Sequence, residues 1–256
     1  MPFMDHLKEL RTRIVRGLLA VMVGFALCYA FSDAIMAWLL VPLRNAIDSL
    51  VAQGRLGQQD APLHFRDPLE PFFAYLKLSM VAGLFVASPI VLYQIWAFIA
   101  PGLHAKERRV ALPVVFLASL FFIGGGAFCY YVVLPYAMEF LIGYPLGEAG
   151  SPVGLSPLLM LDDYLARALQ LVVAFAVVFE LPLAVGILAW VGLVTPSMLW
   201  RWNRHVILGI IILAAVITPT GDPVNLAIMA IPMILLFELS AAFTWLLYRS
   251  RGNTAQ

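Results

Sequence analysis

Charge is scarce in this sequence: Lys, Arg, Asp and Glu make up 12% of its 256 residues, while 62% are hydrophobic. A soluble domain usually carries about 25% charged residues and just under half apolar ones, so this composition does not suit a water-soluble fold. A surplus of either sign is also absent, with 16 Lys and Arg against 15 Asp and Glu. Phosphate binding needs basic residues gathered on one face, and no nucleic-acid partner is expected. The two cysteines, Cys28 and Cys129, lie in apolar runs without CxxC spacing. That removes support for a zinc site or a disulfide framework and leaves them as small core hydrophobes. The opening MPFMDHLKELRTR lacks a short apolar stretch ending in small residues, so the mature protein is expected to begin here. Signatures of catalysis are missing too. There is no His-Glu-x-x-His, no Gly-x-Ser-x-Gly turn, and no second intramembrane Asp to pair with Gly221-Asp222. His6, His64, His104 and His205 stand at no metal-ligand spacing, so neither an enzyme nor a metal or other cofactor is expected.

Long apolar runs are what the sequence does have. A helix needs roughly 20 apolar residues to cross a hydrocarbon core about 30 Å thick. Six runs qualify as candidates: 17–40, 78–100, 110–138, 168–191 around Glu180, 206–217, and 226–247 around Glu238. With flanking turns these predict helices over about 10–40, 72–100, 108–140, 161–191, 203–218 and 224–248, in one transmembrane domain covering 1–256. The fold class is therefore an all-α polytopic membrane protein of six transmembrane helices. The fifth run covers only about 18 Å at 1.5 Å per residue. Short fifth and sixth helices would leave Thr218 to Asp222 at membrane depth, as one wall of a concave bundle.

Lys and Arg alternate unevenly between the two sides, and cytoplasmic flanks carry the excess. One side collects Lys8, Arg11, Arg13 and Arg16, then Lys106, Arg108 and Arg109, then Arg201 and Arg204, then Arg249 and Arg251. The other has Arg44, Arg55 and Arg66, with Lys77 and Arg167 just inside helix ends. Both termini are thus expected to face the cytoplasm. Trp38, Trp96, Trp190, Trp200, Trp202 and Trp245 fall near segment ends, where an amphipathic indole prefers to sit. The stretch 41–71, rich in Gly, Gln, Pro and acids, reads as an irregular periplasmic cap.

Two carboxylates lie inside apolar runs, where an ionised acid costs a few kcal/mol or more unless it faces protein, water or a partner. Glu180 has two readings: an internal hydrogen bond, for instance to Gln94, or a functional contact. Pro182 favours the second, because it frees a carbonyl about one turn earlier and makes the spot polar twice over. For Glu238 the internal bond is the simpler reading. At the N-terminus, Leu7, Leu10, Ile14 and Leu18 share one helical face, and Glu9 with Arg13 has the i,i+4 spacing of a surface pair. Glu107, within Lys106-Glu107-Arg108-Arg109, reads the same way.

Several longer motifs add to this. His6-Leu7-x-Glu9-Leu10-Arg11-x-Arg13 and the block SPIVLYQIWAFIAPGL beginning at Ser88, followed by Glu107-Arg108-Arg109, resemble the TatC family. So do Pro42, Pro71-Phe72-Phe73, Phe179-Glu180-x-Pro182, Thr218-Pro219 with Asp222, and Ala230-Ile231-Pro232-Met233; Thr220-Gly221 departs from the family's more proline-rich turn. The resemblance implies an inner-membrane receptor for twin-arginine signal peptides. It would export folded proteins on the proton-motive force with TatA-like and TatB-like single-helix partners, as a homo-oligomer in contact with membrane lipid. It also implies a signal-peptide site of Glu9, Arg11, Phe98 and Glu107, a partner-helix contact at Glu180 and Gln94, and structural periplasmic positions at Pro42 and Asp222. Two acids at one surface suit a paired-arginine ligand, since guanidinium binds carboxylate bidentately and lysine does not. A proton-coupled transporter using Glu180 and Glu238 is the competing reading, although paired broken helices and an inverted repeat are weak here.

Overall fold

The computed structural model describes residues 3–57, 63–99, 111–146, 158–190, 194–217 and 223–252. Glu107, Glu148 and Asp222, with the whole 218–222 turn, lie outside the described residues. Ten α-helices run through them: α1 Phe3–Ala30, α2 Ser32–Leu39, α3 Val41–Ala52, α4 Glu70–Ile99, α5 Ala111–Phe128, α6 Leu134–Leu146, α7 Leu161–Val178, α8 Leu181–Trp190, α9 Pro196–Ile217 and α10 Pro223–Gly252. A π-helical stretch, Cys129–Val133, joins α5 to α6, so that pair forms one span, as do α7 and α8.

Helices α1 and α4 form the most extensive pairing, and small residues set its closeness. A Cβ on Gly24 would lie 2.4 Å from the Gly83 carbonyl oxygen, and one on Gly83 2.4 Å from the Phe25 nitrogen. Lipid tails are as apolar as leucine, so intimate contact of this kind, not a hydrophobic drive, holds membrane helices together. The two helices are antiparallel about that crossing. Cys28 lies as far beyond Gly24 as Ser79 lies before Gly83, and both are buried. The same register brings Arg13 opposite Gln94.

Residues 41–52 correct the expectation of an irregular cap. Pro42, Leu43, Ala46, Ile47 and Leu50 form a buried stripe on α3, with Arg44, Asn45 and Asp48 exposed on the opposite face. Gly54, at φ 69°, ends the helix: its N–H donates to Val51 C=O at 2.9 Å and the Arg55 N–H to Leu50 C=O at 3.0 Å, the Schellman arrangement. The stretch Ser32–Ala52 is long and apolar enough to count as a span by composition. It is broken at Leu40, however, and helices of 8 and 12 residues reach only about 12 and 18 Å. Helix α3 instead lies along α6, tied by Ser49 Oγ and Gln53 Nε2 donating to Glu139 Oε1 at 2.9 and 3.1 Å. Arg55 Nη2 adds a bond to Gly143 C=O at 2.6 Å.

The α2–α3 break has its own polar support. Pro42 has no N–H to offer the Trp38 carbonyl. Tyr130 Oη donates to that oxygen at 2.6 Å, its ring stacked on Trp38 with centroids 3.8 Å apart, and Tyr164 Oη donates to Leu39 C=O at 2.6 Å. Pro42 thus marks the start of a helix, at a corner held from the two neighbouring spans.

On the same side, residues 63–70 are clasped to the start of α7. His64 exchanges backbone bonds with Leu159 and Leu161. Met160 supplies no side-chain cap to α7, and Glu70 does so from α4, accepting the Asp162 N–H at 3.1 Å. Lys77 pairs with Asp162 at 2.6 Å and Arg66 with Asp163 at 2.5 Å.

The fifth helix also differs from expectation. It begins at Pro196, not near 203, because Thr195 and Pro196 stand at N-cap and N1, with the Met198 N–H donating to Thr195 Oγ1 at 3.3 Å. Its 22 residues reach about 33 Å, so it is not a short helix; its first turns carry exposed Trp200, Arg201, Trp202 and Arg204. Helix α10, with 30 residues, reaches about 45 Å and is not short either.

Candidate functional site

Among the polar places of the described residues, α4 borders two with an open groove beside them. The first is at the N-terminal end of α1. Glu9 Oε1 meets Arg13 Nη2 at 3.2 Å, each side chain 23% exposed, and Arg13 Nη1 reaches Gln94 Oε1 of α4 at 3.4 Å. Phe98, one turn beyond Gln94, joins Leu10, Ile14, Leu18 and Val91 around an apolar groove of about 380 Å³ with Arg13 and Gln94 at its edge. Of the expected signal-binding residues, Glu9 and Phe98 therefore share the α1–α4 cleft. Arg11 is exposed and does not line the groove. Gln94, expected beside Glu180, sits instead with the Glu9–Arg13 pair, because the glycine crossing sets which α4 residue faces Arg13.

The second place surrounds Glu180. Helix α7 ends at Val178 and α8 resumes at Leu181. In between, the Glu180 N–H turns back to Val177 C=O at 3.1 Å, and Pro182 has no N–H for the Val178 carbonyl. The carboxylate thus sits at a break between two helices. Gly125 of α5 lets Phe179 come close there; a Cβ on it would lie 2.7 Å from Phe179 Cβ. A groove of about 560 Å³ opens beside the break, walled by α4, α5, α7 and α8. Glu180 Oε1 is buried in it without a hydrogen-bond partner, and so is Trp96 Nε1 on the α4 wall. Each unmade bond of this kind costs about 1–3 kcal/mol. Ser88 also lines the groove, but its hydroxyl is used: Pro89 offers no N–H to Phe85 C=O, and Ser88 Oγ donates there at 2.8 Å.

Glu238 has a partner that sequence reasoning could not find. Asn203 Nδ2 of α9 donates to its Oε1 at 2.9 Å. Trp96, expected at the interface from its place near a helix end, is 5% exposed, while Trp200 and Trp202 are 73% and 55% exposed. Only its burial in the folded bundle distinguishes it. Among the described residues no three His, Cys, Asp or Glu side chains gather to hold a metal ion.

Known proteins with this sequence and fold agree with one another. The profile of the Sec-independent protein translocase protein TatC matches residues 5–232. The TatC of Koribacter versatilis (strain Ellin345) is 42% identical over 248 residues, 97% of this chain and 86% of that one. The TatC of Aquifex aeolicus (strain VF5) is 32% identical over 240 residues, 94% and 93% of the two chains. Two crystal structures of the twin-arginine translocase receptor TatC superpose at TM-scores of 0.77 and 0.79, with 32% and 33% identity. They cover 94% and 93% of this chain and 98% and 99% of their own. A match in sequence, length and fold together has one reading: the chain belongs to the TatC family of Sec-independent protein translocase proteins.

Proposed function

We propose that this TatC-family subunit, a transport component and not an enzyme, is the receptor that captures twin-arginine signal peptides at the cytoplasmic face of the inner membrane. The observation that carries the reading is Glu9: its carboxylate already holds a guanidinium, that of Arg13, at the edge of an apolar groove bordered by Phe98. A ligand presenting arginine next to an apolar segment complements that edge, with Glu107 as the second acid and Arg11 shaping the local potential. Both termini face the cytoplasm on the distribution of Lys and Arg. Glu180 is the docking point for TatA-like and TatB-like single-helix partners, in a homo-oligomeric complex embedded in lipid that exports folded cargo on the proton-motive force. Pro42 and Asp222 are structural positions on the periplasmic side. A proton-coupled transporter would want two available intramembrane acids, and Asn203 already engages Glu238.

The test is Glu9→Ala, Glu107→Ala and Glu107→Arg, measured by crosslinking of a twin-arginine signal peptide alongside protein abundance in the membrane. Loss of one charge-assisted contact, worth about 1.5–3 kcal/mol, should weaken capture by about tenfold to a hundredfold at unchanged abundance. Normal crosslinking in Glu107→Arg would rule the acid pair out.

A further inference from the structure

We propose that Arg13 is a built-in competitor for the signal site: its guanidinium occupies Glu9 until a ligand arginine displaces it, and Gln94 keeps hold of it during the exchange. This rests on, and deepens, the reading of Glu9 as part of a receptor for twin-arginine signal peptides. Helix α1 carries Arg11, Arg13 and Arg16, and the first and last of these are exposed. Arg13 alone turns into the α1–α4 cleft. Its side chain is 23% exposed, with Nη2 on Glu9 Oε1 at 3.2 Å and Nη1 on Gln94 Oε1 at 3.4 Å. Arg13 and Gln94 both line the apolar groove beside Phe98, and Glu9 does not. A ligand lying in that groove therefore meets Arg13 before it meets the carboxylate.

The geometry suits an exchange. Charge-assisted N–H···O bonds ordinarily measure about 2.7–2.9 Å. The ion pairs at the start of α7 are that tight, Lys77 with Asp162 at 2.6 Å and Arg66 with Asp163 at 2.5 Å, whereas both contacts of Arg13 are longer although its pair is less exposed than theirs. A guanidinium stripped of every partner in a half-buried cleft would be costly. The Gln94 carbonyl removes that obstacle, because it accepts from Arg13 while the ligand's guanidinium takes its place on Glu9. One arginine–carboxylate contact then replaces another. A resident competitor lowers the affinity of every cationic ligand by the same factor, so it leaves the preference for arginine over lysine as it is. What it sets is the threshold: a cation that would fill an open carboxylate weakly does not dislodge Arg13, and a planar guanidinium with five donors matches it.

The experiment measures photocrosslinking of a synthetic peptide, two arginines followed by an apolar segment, to the full-length protein in native membrane vesicles. It is titrated to the half-saturating concentration, with a two-lysine peptide in parallel. Arg13→Gln should lower that concentration about threefold to tenfold for both peptides, since one half-buried ion pair no longer competes. Arg16→Gln removes the same charge from an exposed position on the same helix and should leave it nearly unchanged. Equal gains in the two variants, or no gain in Arg13→Gln, would overturn the proposal. Arg13→Lys, which keeps the charge and loses the planar fork, replaces Arg13→Gln if that variant does not accumulate in the membrane; a smaller gain is expected, and no gain would overturn the proposal. Gln94→Leu is a second test that leaves Arg13 in place. Capture should weaken about threefold in the parent and not at all in the Arg13→Gln background. Weakening by the same factor in both would make Gln94 a direct ligand contact and overturn the exchange. Glu9→Ala separates this inference from the reading beneath it: unchanged capture there would overturn both, while weakened capture there with no gain in Arg13→Gln would overturn the competitor alone.

Discussion

Replacing Gly83 by alanine places one methyl group where α1 and α4 cross, and the structure sets the consequence. The new Cβ would lie 2.4 Å from Phe25 N, 2.7 Å from Gly24 C and 2.7 Å from Phe25 Cα. All three are backbone atoms, so no side-chain rotation relieves the overlap. Ordinary contact begins near 3.4 Å, and the helices must part by about 1 Å, a gap that forfeits roughly a quarter to a half of each dispersion contact near the crossing. No hydrophobic drive pulls them back together in lipid. Overpacking of this kind costs about 1–3 kcal/mol, or a fall of about 3–10 °C in Tm for a chain of this size. The measurement is thermal unfolding of the detergent-purified protein. Gly17→Ala is the control on the same helix pair: its Cβ would meet nothing within 4 Å, and alanine improves helix propensity by about 1 kcal/mol, so its Tm should hold or rise. A parental Tm for Gly83→Ala, or an equal loss in Gly17→Ala, would refute the reasoning. Because Arg13 and Gln94 share the register of that crossing, Gly83→Ala should weaken signal-peptide crosslinking as well.

Three further outcomes are expected. Tyr130→Phe and Tyr164→Phe should each lower stability by about 1–2 kcal/mol in the same unfolding assay, as each removes a donor to a carbonyl at the α2–α3 corner; unchanged Tm values would remove the corner's tyrosines from the account. Glu180→Gln should leave partner assembly and export largely intact and Glu180→Leu should disrupt both, so normal co-purification of single-helix partners with Glu180→Leu would make the carboxylate a merely tolerated group. Cysteines at 107 and 201 should resist an impermeant thiol reagent added to cells with a permeabilised outer membrane, and cysteines at 55 and 148 should react; external labelling at 107 would reverse the orientation.

What the sequence made legible was local. The apolar runs give the spans because a helix must satisfy its own backbone in lipid, and the i,i+4 spacing alone gives the Glu9–Arg13 pair. Two misread stretches did carry local signals. Thr195-Pro196 is a helix start, and Gly54 follows the 4-residue spacing of Pro42, Ala46 and Leu50; each was hidden under polar or aromatic composition that suggests a loop or an interface. Composition describes the solvent a segment meets, not the backbone it adopts.

The remaining site residues were illegible for a different reason: their chemistry is set by residues far away in the chain. Gln94 belongs to Arg13 because Gly24 and Gly83 touch, and a one-residue shift of that register would turn Gln94 about 100° around α4, away from the cleft. Asn203 of α9 reaches a carboxylate oxygen of Glu238, whereas Glu180 Oε1, at the α7–α8 break, is left without a partner, although both are lone acids in apolar runs. Intramembrane acids with the same local pattern thus divide into structural and available ones by tertiary contact alone. The same holds for tryptophan: Trp96 and Trp200 both stand near helix ends, and only packing separates a buried indole with an idle N–H from one that lies exposed. A polar group inside the membrane becomes informative about function when every nearby partner has been assigned and it still has none; among the described residues Ser79 Oγ, Asn203 Oδ1, Trp96 Nε1 and Glu180 Oε1 meet that condition, and the last two line one groove.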